Sequence, residues 1–122
     1  MTRSIALVGH CGVDGPRLQR ELSAALKDVD VVRINSTEDL ERCCEDEADL
    51  LLINREPVGF EESGLDLVRE VCEKHPDLKV MLVSDYEQAQ KEAVSAGALP
   101  GFGKQLLGTS KLAEAVERAL GS

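Results

Sequence analysis

Asp49-Leu50-Leu51-Leu52-Ile53-Asn54 sets four large apolar residues in a row between polar ones. Such a run is too short for a helix and fits a strand buried on both faces, as at the centre of a parallel sheet. Asn54 then stands where that strand meets solvent, at the carboxyl edge where open parallel sheets collect ligands and chemistry. The side chain there is an amide and not an acid.

Working outward, Ser4–Val8 is a second short apolar run, and it breaks into the loop Gly9-His10-Cys11-Gly12-Val13-Asp14-Gly15-Pro16. Glycine-rich punctuation followed by Leu18, Leu22, Ala25 and Leu26 at helical spacing predicts strand, loop and a helix ending near Lys27. Val29–Ile34 reads as a strand, and Ser36 before Thr37-Glu38-Asp39 as the N-cap of a helix to about Asp46. After Asn54 comes a loop with Pro57 and Gly59, then a helix on Leu65, Val68, Val71 and Cys72 closed by His75-Pro76. Lys79–Val83 is the fourth strand, and Tyr86 to Ala96 is helical with Gly97 as a left-handed cap. Gly101–Gly103 is left as a short strand, and Thr109 or Ser110 opens a last helix carrying Leu112, Ala115, Val116, Ala119 and Leu120. Five strands alternating with five helices imply parallel pairing with helices on both faces.

The 122 residues suit a single domain spanning 1–122. Aromatic content is only 2%, so the core is aliphatic and base stacking is not expected. A formal net charge of −9 opposes binding to nucleic acid and to anionic membrane surfaces. With no leader-like start and no long apolar run, the chain reads as cytoplasmic. Cys11, Cys43, Cys44 and Cys72 form no paired C-x-x-C motif, which argues against a disulfide framework or structural zinc. Cys43 and Cys72 continue apolar helical stripes and are expected to be buried.

Leu-Leu-Ile-Asn at the third strand, Gly64-Leu65-Asp66-Leu67-Val68 opening the third helix, Met81-Leu82-Val83-Ser84-Asp85-Tyr86, and Ala96-Gly97-Ala98 before Gly101-Phe102-Gly103-Lys104 resemble the response-regulator receiver domain, the CheY-like fold of two-component signalling and phosphorelay. The resemblance spans nearly the whole chain and implies a flavodoxin-like doubly wound sheet of order 2-1-3-4-5. It also implies a phosphoacceptor aspartate ending the third strand, two acids after the first strand that hold magnesium with it, and a Ser or Thr and a Lys that contact the phosphoryl group. Ser84 and Lys104 match. Asn54 replaces the phosphoacceptor, and Gly9 and His10 stand where the acid pair belongs.

An amide has no anionic oxygen to attack phosphorus, and magnesium requires hard oxygen ligands including carboxylates. Asp14 and Glu56 are the nearby acids; Asp14 lies four residues past His10, and Glu56 reads as a solvated loop charge. No metal, cofactor or aspartyl phosphate is therefore expected. Lys104 beside His10 and Ser84, in a pocket without its acids, makes a weak anion site a hypothesis to test. Gln105 stands where the family has proline, Gly101 where it has its switch aromatic, and the loop from Asn54 to Gly64 is two residues longer than usual.

A second reading is an enzyme. His10-Cys11 and then Arg17 match the His-Cys-x5-Arg loop of cysteine-based phosphatases, in which amides and arginine cradle phosphate for a thiolate nucleophile. Asp14 and Pro16 oppose it, one by charge and the other by removing an amide. The preferred expectation is a stand-alone receiver-like domain, not an enzyme, that binds a protein partner, with a homodimer left open. Leu99, Phe102, Leu106 and Leu107 are the candidate contact face, by the receiver habit of using the fourth helix, fifth strand and fifth helix; Phe102 also fits the core.

Overall fold

In the computed structural model, which describes residues 2–46 and 48–121, the run that opens at Leu50 forms β3 (Leu50–Asn54), and all five of its residues are buried. β3 lies at the middle of a five-stranded sheet of order β2-β1-β3-β4-β5. The other strands are β1 (Arg3–Val8), β2 (Val29–Ile34), β4 (Val80–Val83) and β5 (Leu99–Phe102). All four pairings are parallel, with Ala6 opposite Leu51 and Leu52 opposite Met81. The helices are α1 (Asp14–Ala25), α2 (Thr37–Glu45), α3 (Gly64–Lys74), α4 (Glu87–Ser95) and α5 (Ser110–Leu120), with a 3-10 turn at Lys104–Leu106. The doubly wound α/β architecture expected from the alternation is therefore present. Met1, Glu47 and Ser122 of the expected 1–122 domain lie outside the described residues.

A two-residue repeat inside each strand divides the core. Ile5, Leu7, Leu50, Leu52, Met81 and Val83 face Leu18, Leu22, Leu112 and Val116 of α1 and α5. Ala6, Val8, Leu51, Ile53, Val80 and Leu82 face α2, α3 and α4. This alternation over two buried faces is why the strands read as unbroken apolar runs.

Local signals explain most boundaries. Ser36 and Ser63 cap α2 and α3 by accepting from the amides of Asp39 and Asp66 at 3.2 and 3.1 Å. Gly97, at φ +117°, takes the left-handed position after α4. Pro16 falls inside the first turn of α1. Thr109 caps α5 by position only, its hydroxyl donating back to the Leu106 carbonyl.

Two expectations are corrected. The last strand covers Leu99–Phe102 and not Gly101–Gly103. Pro100 and Gly101 form an irregularity between Met81 and Val83 of β4, of the kind an edge strand tolerates. The Gln90 side chain bridges it, donating to the Leu82 and Ser84 carbonyls at 2.8 and 3.0 Å and accepting from Gly101 N at 3.0 Å. Among the cysteines, Cys44 is the buried one while Cys43 and Cys72 are half-buried, because Cys44 follows Leu40 by four residues on the inward face of α2. Burial pushes the Cys44 thiol up to about 11, and raises those of Cys43 and Cys72.

Candidate functional site

Beyond the carboxyl ends of β1, β3 and β4 the loops enclose a cavity of about 380 Å³ whose walls include Cys11, Asn54, Arg55, Ser84, Tyr86 and Lys104. Asn54 is 7% exposed. Its side-chain nitrogen donates both hydrogens, to the Gly9 carbonyl at 3.0 Å and the Glu56 carbonyl at 3.1 Å. The Gly9 carbonyl also accepts from Val58 N at 2.8 Å. Asn54 thus ties the end of β1 to the loop that follows β3.

Gly9 offers no ligand and has no room for one. Its φ is +73°, and an added Cβ would overlap Pro57 of that same loop. His10, at 1% exposure, turns into the protein and not into the cavity. Its Nε2 donates to the Leu52 carbonyl at 2.9 Å, which fixes the tautomer, and its Nδ1 has no hydrogen-bond partner among the described residues. Burial holds the imidazole below its usual pKa; the Leu52 bond opposes that shift and Lys104 adds to it. Cys11 supplies the wall where His10 was expected. Its sulfur accepts from Asp14 N at 3.3 Å.

Ser84 is buried, and its hydroxyl accepts from the Tyr86 amide at 3.1 Å, a local turn bond. Lys104 Nζ lies 2.8 Å from Asp14 Oδ2. The hydrogen bond between them holds the Asp14 carboxyl below the usual range and raises the Lys104 pKa. The expected pocket without negative charge is corrected: Asp14, at the first turn of α1, supplies the anion Lys104 faces. An incoming anion has to compete with it.

Of the groups that the receiver pattern places here, none presents a free carboxylate to the cavity, whose acidic walls are Glu56 and Asp85. Asp14 is bonded to the lysine, Asn54 directs hydrogens and not oxygen at the neighbouring backbone, Gly9 has no side chain, and His10 faces Leu52. No group of three or more His, Cys, Asp or Glu among the described residues is placed to hold a metal ion. The alternative phosphatase cradle is not assembled either. Arg17 pairs with Glu21 at 3.6 Å and lies against Gly108, and the Asp14 carboxylate is held on Lys104, a wall of the cavity.

The residues of the expected contact face are less exposed than a cluster of free apolar side chains would be. Phe102 is core, 5% exposed, and Leu99, Leu106 and Leu107 are half-buried against the layer formed with α1 and α5. The 3-10 turn folds Leu106 and Leu107 inward, a local geometry that helical or strand periodicity does not reveal. The exposed large apolar side chains are Val13, Val58, Tyr86 and Val94. Tyr86 carries the Arg55 guanidinium 4.5 Å from its ring centroid.

Among solved structures, a response regulator from Thermotoga maritima superposes with a TM-score of 0.82 at 22% identity, covering 100% of both chains. Its fold is that of response-regulator receiver domains. An orphan response regulator of H. pylori shares the receiver fold at TM-score 0.77 and 21% identity, over 97% of this chain and 96% of that one. NtrX from Brucella abortus aligns at TM-score 0.85 and 22% identity over 99% of this chain but only 28% of its own length. No protein-family model matches the sequence, and no curated protein matches it significantly. No helix among the described residues is long and apolar enough to cross a membrane.

Proposed function

We propose that this chain is a receiver-type signalling module that works by binding a protein partner and takes no phosphoryl group at position 54. The observation that carries the reading is the bonding of Asn54. Both of its side-chain hydrogens go to backbone carbonyls, so the residue acts as a fixed structural donor where a phosphoacceptor would have to present an anionic oxygen. The Asp14–Lys104 pair supports it further, because the lysine that a receiver turns toward phosphate already has a carboxylate at 2.8 Å. A net charge of −9 favours a protein over a nucleic acid as the partner. Acetyl phosphate is expected to leave the intact mass unchanged, and beryllofluoride to leave the amide spectrum unchanged. A phosphoryl mass gain mapped to this cavity would overturn the reading.

A further inference from the structure

Three of the four large apolar side chains that stand exposed among the described residues belong to the loops at one edge of the sheet. Val13 is 76% exposed on the loop after β1, Val58 48% on the loop after β3, and Tyr86 63% on the loop after β4. Val58 and Tyr86 are walls of the cavity described above, and Val13 lies between Cys11, another wall, and Asp14, which holds Lys104. Single exposed valines are ordinary; two exposed apolar side chains that wall one concavity, with a third on the adjoining loop, mark a contact surface.

The charges around them narrow the occupant. Lys104 and Arg55 are each matched by an internal carboxylate, Asp14 and Glu56, at 2.8 and 3.0 Å. Asp85, a further wall of the cavity whose Oδ1 accepts from Gln105 N at 3.3 Å, and Glu87 in the helix turn that follows are exposed and make no ion pair among the described residues. The rim is therefore apolar with an acidic surround. A second copy would bring the same acids face to face on a chain that already carries −9, and like charges across an interface oppose association.

We infer that the Val58–Tyr86 wall, with Val13 on the adjoining loop, docks a basic segment of a partner protein, which seats an aliphatic or aromatic side chain against these residues and places Lys or Arg against Asp85 and Glu87. This surface deepens the partner-binding reading and rests on it. Arg55, stacked on Tyr86, braces the ring and lowers the cost of ordering it on contact.

The test is to pan a random dodecapeptide phage library against the immobilised protein and to titrate synthetic copies of the enriched peptides against wild type, Val13→Ser, Val58→Ser and Tyr86→Ser. All three positions are exposed, so the variants should keep the wild-type unfolding midpoint. Enriched peptides are expected to pair an apolar residue with Lys or Arg, to weaken as salt rises, and to bind Tyr86→Ser roughly tenfold or more weakly. Peptides lacking basic residues, no enrichment, or a concentration-dependent dimer lost in the variants would each overturn the proposal. Peptides that bind all four proteins equally would overturn this surface alone and leave a partner-binding module standing. Failure of the phosphorylation-independent reading is read separately, as a phosphoryl mass gain.

Discussion

Asn54→Asp is the substitution that a comparison with receivers invites, and the bonding of Asn54 makes it a damaging one. It removes two donated hydrogen bonds, of 3.0 and 3.1 Å, and sets an anionic oxygen against the carbonyls of Gly9 and Glu56 at a site 7% exposed. Two lost bonds at about 1 kcal/mol each, with a further ~1–3 kcal/mol for a buried acceptor facing acceptors, give a loss of about 3–5 kcal/mol at pH 7. That is a large part of the ~5–15 kcal/mol that holds a domain together. Asn54→Ala loses the bonds without adding charge and is expected to lose about 2–3 kcal/mol. The sign with pH follows from the same contacts. The introduced carboxyl has its folded pKa raised above the unfolded value of about 3.9, so its deficit is greatest above the folded pKa and shrinks as pH falls through it. Urea unfolding of the three proteins at pH 7 and pH 5 measures this. Asn54→Asp as stable as wild type at pH 7, or stabilised by millimolar magnesium, would refute the reasoning.

Three further outcomes follow from neighbouring contacts. His10 has its pKa lowered by burial from 6.5, so the unfolded chain binds the proton first. Stability should fall below that pH by up to about 1.4 kcal/mol per unit until the folded pKa is reached, and His10→Gln should remove this part of the slope in urea titrations across pH 5–7. Asp14→Asn frees Lys104; because the pair is half-exposed it should cost at most ~1 kcal/mol, and inorganic phosphate should then shift amide resonances near Ser84 that it leaves unmoved in wild type at the same concentration. Gln90→Leu strips partners from Leu82 O, Ser84 O and Gly101 N and should lower stability by roughly 2–4 kcal/mol in chemical unfolding.

The fold was legible because its strongest signals are local. Leu50–Ile53 and Val80–Val83 are apolar on both faces, and Ser36 and Gly97 sit where helix ends require them. β5 was misplaced because Pro100 and Gly101 look like loop residues, and what makes them strand is Gln90 from a different element. The site was half legible. Asn54, Ser84 and Lys104 were brought together by strand order, but whether His10 faces the cavity or Leu52 depends on side-chain direction after a positive-φ glycine, which spacing does not specify. Asp14 was seen as too far along the chain from His10; the tight turn into α1, closed by Gly15 N on the Cys11 carbonyl at 2.8 Å, brings it back to Lys104. The half-burial of Leu106 and Leu107 is not legible because a three-residue 3-10 turn has no periodicity to read.

The seat of Pro57 on Gly9 also bears on what sequences are reachable from this one. A side chain at position 9 meets Pro57 on a backbone already in the left-handed region, and an acid at position 54 meets two carbonyl oxygens. Each carboxylate of a metal site, added alone, therefore lowers stability before any cation is present to compensate. The arrangement behaves as a ratchet. A path to carboxylates at positions 9 and 54 costs least when it begins in the loop that carries Pro57, with a change that itself adds no ligand.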